Sequence, residues 1–174
     1  RMKALGDDDV MRALDAVYPG EGAKTRNDAA RLSGGSPGQA VLLLGEGGQA
    51  LYASLAALLS AWPALDLSAA HALGGEVARA GQEARFALLR DMILGVFGRV
   101  IRAASGVATA YPSEAEARFA SRIGTLGVRS LLDLQARVTD LLLAAEYANL
   151  DKRQALVTAF AEIAGAARGR TAAA

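Results

Sequence analysis

The sequence predicts an all-α protein, and three observations carry that prediction. Alanine and leucine dominate a chain that is 52% hydrophobic but only 5% aromatic, and alanine is the strongest helix former because it loses no side-chain entropy on ordering. β-Branched residues are sparse and seldom alternate with polar ones, so the two-residue period of a strand is nearly absent. Apolar residues recur instead three and four positions apart, between glycines, prolines and capping residues. A length of 174 residues suits one compact domain or two small ones.

Asp7 to Tyr18 reads as the first helix. Its aspartates Asp7-Asp8-Asp9 supply an N-cap and meet the positive end of the helix dipole. Val10, Leu14 and Val17 form its apolar face, and Pro19-Gly20 stops it. A second short helix covers about Lys24 to Ser33 and a third Pro37 to Leu44. Between them Leu32-Ser33-Gly34-Gly35-Ser36-Pro37-Gly38-Gln39 spells a helix stop followed at once by a helix start. Gly34 or Gly35 suits the left-handed closing position, Ser36 the N-cap, Pro37 the first helical position and Gln39 the far end of a capping box. Gly45-Glu46-Gly47-Gly48 then reads as a flexible break. It divides the chain into units 1–46 and 47–174.

Helix four, Gln49 to Trp62, carries the stripe Leu51, Leu55, Leu58, Leu59 and Trp62 before Pro63. The uncharged stretch Gly47 to Leu65 approaches membrane-spanning length, but its one-sided pattern reads as a core helix. Helix five runs from Asp66 or Ser68 to about Arg79, weakened by Gly74-Gly75. Helix six, Gln82 to Ala104, presents Phe86, Leu89, Ile93, Val96, Phe97 and Val100. Its Gly95 and Gly98 mark either close approach of a neighbour or a bend. Gly106 to Pro112 is a loop, and Ser113-x-x-Glu116 opens helix seven, up to Ile123. Helix eight, Val128 to Ala148, turns Leu131, Leu134, Val138, Leu141, Leu142 and Ala145 inward and pairs Asp133 with Arg137 outside. Helix nine follows Asn149-Leu150-Asp151 and buries Leu156, Phe160 and Ile163. The tail from Gly165 is expected to fray.

Nineteen basic residues balance eighteen acidic ones for a net charge of +1, with the signs mixed along the chain. Autonomous nucleic-acid binding needs a concentrated basic patch, which this pattern lacks. Arg118, Arg122 and Arg129, and Arg85, Arg90, Arg99 and Arg102, read as solvated faces balanced by Glu114, Glu116, Glu83 and Asp91. There is no cysteine, hence no disulfide or thiolate ligand. With no secretory pattern between Arg1 and Asp9, this fits a cytoplasmic protein. The single histidine, His71, lies among Ala and Leu without the partners a catalytic imidazole requires. Asp7-Asp8-Asp9 point in different directions and read as helix-start charges, not metal ligands. No phosphate loop or nucleophile elbow is present. We expect no catalytic residue, no metal site and no cofactor.

The string LSGGSPGQAVLLL resembles the lid motif of the delta-prime subunits of the bacterial DNA polymerase III clamp loader, in the AAA+ family. Two further segments resemble that family in the same order. Arg1-Met2-Lys3-Ala4-Leu5-Gly6-Asp7-Asp8-Asp9-Val10 is similar to the stretch that follows its ATPase-like domain. Asn149-Leu150-Asp151-Lys152-Arg153-Gln154-Ala155-Leu156 is similar to the stretch before its last helix. The resemblance implies a three-helix lid followed by a helical-bundle collar of five to six helices that assembles subunits into a ring. It also implies that this chain is a fragment, preceded by a strand-rich domain with zinc-spaced cysteines and a degenerate phosphate loop. The lid motif falls on Ser36, Pro37, Gly38 and Gln39, and Asn149, Asp151 and Arg153 become collar-interface residues. Where ATP-hydrolysing relatives carry a nucleotide-sensing arginine this chain has Gly38, in keeping with a subunit that does not hydrolyse ATP. The arginine usual after Ser-Pro-Gly is Gln39 here, so its role is not carried over. The implied partners are the delta and tau/gamma subunits, with the sliding clamp and primed DNA met only through the complex. The rival readings are an unrelated helical interaction module, such as a homodimer, and a helix-turn-helix regulator. Against the latter, Ala40 to Leu44 is too apolar to read base edges.

Overall fold

The computed structural model describes residues 5–45, 47–148 and 150–167. Among them the chain is all-helical, with no strand. The helices are α1 (Asp7–Val17), α2 (Ala23–Leu32), α3 (Pro37–Gly45), α4 (Gly48–Ser60), α5 (Leu67–Val77), α6 (Glu83–Ala104), α7 (Glu114–Ile123), α8 (Val128–Tyr147) and α9 (Lys152–Gly165). One 3-10 turn, Gly124–Leu126, joins α7 to α8. No single helix among the described residues is long and apolar enough to cross a membrane.

Two compact units emerge, Arg1–Ala53 and Ser54–Ala174. The division lies inside α4 and not in the glycine run, because the first turn of α4 is bound into the first unit. Gln49 Nε2 donates to the Thr25 carbonyl at 2.7 Å, and Gly48 presses on α3. A Cβ on Gly48 would sit 2.7 Å from both the Cα and the carbonyl oxygen of Leu43. A residue expected to supply flexibility therefore supplies closeness.

In the first unit α1, α2 and α3 pack on one another around Val10, Leu14, Ala29, Ala30, Ala40 and Leu43, all buried. Asp15 and Arg26 pair at 2.8 Å between α1 and α2. The expected aspartate N-cap is instead Gly6, extended at φ −72° and ψ 159°. Its carbonyl accepts from Asp9 and Val10 N–H, and the aspartates fill the first turn, where their charge still meets the dipole. Val17, expected on the apolar face, is 56% exposed because the helix ends there.

The second unit is a bundle in which α9 packs on α5 and α8, and α6 on α7 and α8. The predicted stripes of α4 and α6 are buried. On α8, Leu131, Leu134, Val138, Leu142 and Ala145 are buried, but Leu141 is only half-buried at the edge of that face. Asp66 caps α5, accepting from Ser68 and Ala69 N–H. Gly74 marks where α9 crosses α5: a Cβ there would lie 3.4 Å from the Arg153 carbonyl oxygen. Gly95 and Gly98 mark no such crossing. Only Arg99 of the same helix approaches Gly95, and nothing lies near Gly98.

The two kinds of glycine predict opposite outcomes in urea unfolding. Gly98→Ala gains helix propensity with room for the methyl and raises stability by about 0.5–1 kcal/mol. Gly48→Ala drives a methyl into the α3 backbone and lowers it by about 1–3 kcal/mol. Equal midpoints for the two variants, at unchanged m, contradict this assignment.

Candidate functional site

The corner between α2 and α3 is built as its residues dictate. Ser33 closes α2, its N–H donating to Ala29 and Ala30 carbonyls and its buried hydroxyl to Ala30 at 2.7 Å. Gly34 (φ 60°) and Gly35 (φ 86°) both take the left-handed conformation, which costs glycine nothing. Ser36 Oγ then accepts from Gln39 N–H at 3.3 Å, with Pro37 as the first helical residue. The return half of the expected capping box is replaced by Ser36 N–H donating to the Ser33 carbonyl at 3.2 Å. Leu5 N–H donates to Gly35 at 3.1 Å and ties the chain preceding α1 to the corner. Ser36 and Gly38 are exposed and Gln39 half-buried. The outward positions of α3 are Gly38, Leu42 and Gly45, which offer no side chain able to read a base edge.

The arginines are largely committed within the chain. Arg99 of α6 grips Glu116 of α7 in a two-pronged pair, Nε to Oε1 at 2.5 Å and Nη2 to Oε2 at 3.0 Å. Glu116 is 0% exposed, so it is a buried charge and not part of the solvated face expected of it. It also fills the third position of α7, its N–H donating to Ser113 Oγ. Burial, then the Glu116 charge, push the nearby Tyr111 phenol above its ordinary pKa, with Arg99 opposing. Arg90 pairs with Asp91 and with Glu146 of α8, and Arg85 with Glu76. Arg122 donates to the carbonyls of Ser60, the last residue of α4, and Trp62 just beyond it. Arg137 meets Glu162 of α9 at 3.1 Å and not the Asp133 carboxylate expected, although Nη1 reaches the Asp133 carbonyl. α9 lies close enough to offer a cross-helix carboxylate.

Of the collar-interface residues named from the sequence, Asp151 caps α9, accepting from Gln154 N–H at 3.1 Å. Arg153 is exposed as a residue, while its backbone and Cγ lie against Gly74 and its Nε and Cζ near Gly75. Asn149 lies outside the described residues. The structure thus gives Asp151 and Arg153 roles within the fold.

A groove of about 520 Å³ lies between α4 and α5. Ala57, Leu58, Ala61, Ala69 and Leu73 line it, with Asp66 and Glu76 at its polar edge. His71 of α5 is half-buried and its Nδ1 has no hydrogen-bond partner. No cluster of His, Asp and Glu able to hold a metal forms among the described residues. What the described residues offer is helix faces and caps. No protein-family model, curated protein or solved structure matches the chain.

Proposed function

We propose that this chain is the lid and collar of a delta-prime-type clamp-loader subunit, a non-catalytic part that holds neighbouring subunits in a ring. The observation that carries the reading is the Ser36–Gln39 corner. It joins the second and third helices of a small three-helix unit, and a larger helical unit follows. That order agrees with the resemblance in its lid motif and in the Asn149–Leu156 segment. On this reading the lid couples a preceding nucleotide-fold domain to the collar. The collar meets the delta and tau/gamma subunits, and the sliding clamp and primed DNA are engaged only by the assembled complex, in the cytoplasm and without a cofactor of this chain's own.

The test is to mix the chain with the delta and tau/gamma subunits of the same organism and separate the mixture by size. We expect one co-eluting complex at micromolar concentration. Well-folded chain that elutes alone at that concentration argues against the reading.

A further inference from the structure

α8 carries two apolar stripes: one is buried, and the other is exposed at Leu132, Ala136 and Tyr147 and half-buried at Thr139 and Leu143. Leu131, Leu134, Val138, Leu142 and Ala145 face the core. Leu132, Ala136, Thr139, Leu143 and Tyr147 recur at four, three, four and four residues. At 100° per residue they share a face about 80° wide, centred about 140° round the helix from the buried one. Leu132 is 49% and Tyr147 80% exposed, and Leu150, just past the helix, is 51% exposed. The Thr139 hydroxyl is spent on the Gln135 carbonyl at 2.7 Å, so it places no free donor on the stripe.

The neighbours of α8 bracket this face and leave Leu132, Ala136 and Tyr147 exposed. Arg90 of α6 reaches Glu146 along one edge, and Glu162 of α9 reaches Arg137 on the far side of the other. Between Arg137 and the stripe lie Asp133 and Asp140, seven residues apart on one edge. Both are exposed, and among the described residues neither carboxylate has an ion pair or a cap. Every other carboxylate among the described residues of this unit holds one or the other. Glu76, Asp91, Glu114, Glu116, Glu146 and Glu162 are paired, while Asp66, Glu83 and Asp151 accept from backbone N–H groups. Arg129, exposed one turn before Asp133, ends the same edge with a single cation.

We infer that the outer face of α8 docks an amphipathic helix of another polypeptide. Its apolar stripe covers Leu132 to Tyr147, and two lysines or arginines about two turns apart meet Asp133 and Asp140. The unpaired carboxylates beside a partly exposed apolar stripe fix the sign and spacing of the partner's charges. This goes beyond the clamp-loader reading and does not need it, since any chain with such a helix qualifies.

The test uses the full chain and two labelled helical peptides that share a leucine stripe. They differ only in carrying two lysines or two glutamates, seven residues apart, along one edge. Fluorescence anisotropy should show the lysine peptide binding about tenfold or more tightly than the glutamate peptide. Asp133→Lys with Asp140→Lys should reverse that order. Leu132→Ser with Tyr147→Ser should weaken both peptides about tenfold or more with the helical circular dichroism unchanged. Absence of binding, equal affinities, or binding that survives the serine pair overturns the inference. So does light scattering that finds the chain alone a dimer which the serine pair dissociates, because a second copy would then cover the face. Co-elution with clamp-loader subunits is a separate readout, so either proposal can fail alone.

Discussion

Replacing Arg99 with methionine should destabilise the second unit by about 3–5 kcal/mol, among the largest single-site effects in the chain. The cost comes less from losing the attraction than from taking the Arg99 cation, which offsets lost hydration, away from the fully buried Glu116 carboxylate. The double variant Arg99→Met with Glu116→Leu removes both charges and should return to within about 1 kcal/mol of the parent. Urea midpoints of the parent, the two single variants and the double complete the cycle. A coupling below about 1 kcal/mol would mean that the pair behaves as a surface ion pair despite its burial.

Trp62→Ala should cost about 3–5 kcal/mol by opening a cavity among the residues around the end of α4. Trp62 is 6% exposed, and its Nε1–H donates to the Ile163 carbonyl of α9 at 2.8 Å. Trp62→Phe keeps most of the packing but strands that carbonyl, for a smaller loss of about 1–3 kcal/mol. The ordering of the two variants separates packing from hydrogen bonding. If phenylalanine costs as much as alanine, the indole donor dominates and the cavity argument fails.

How far the sequence could be read depended on whether a feature was local. The helical class, the stripes of α4 and α6, and the caps at Ser36 and Ser113 follow from spacing and capping chemistry within a few residues. What escaped notice depends on which helix arrives next to which. Gly48 and Gly74 look like weak points in one dimension and are contact points in three. Glu116 fits a capping box in the sequence, and nothing local reveals that Arg99 closes over it. Arg137 has Asp133 within reach on its own helix, yet the carboxylate it meets belongs to α9. The outer face of α8 was visible as residues, but its partial exposure and its unpaired aspartates emerge only once every neighbouring charge has been assigned.

The bond from Trp62 to Ile163 spans 101 positions, and it sets a schedule for biosynthesis. During translation α4 and α5 leave the ribosome long before the strand-free remainder that completes them, so Trp62 and the surface around Gly74 wait in water until the final helix is made. A nascent chain stalled ahead of α9 should therefore engage holdase chaperones and yield to protease, whereas emergence of the α9 segment should convert it abruptly into a resistant product.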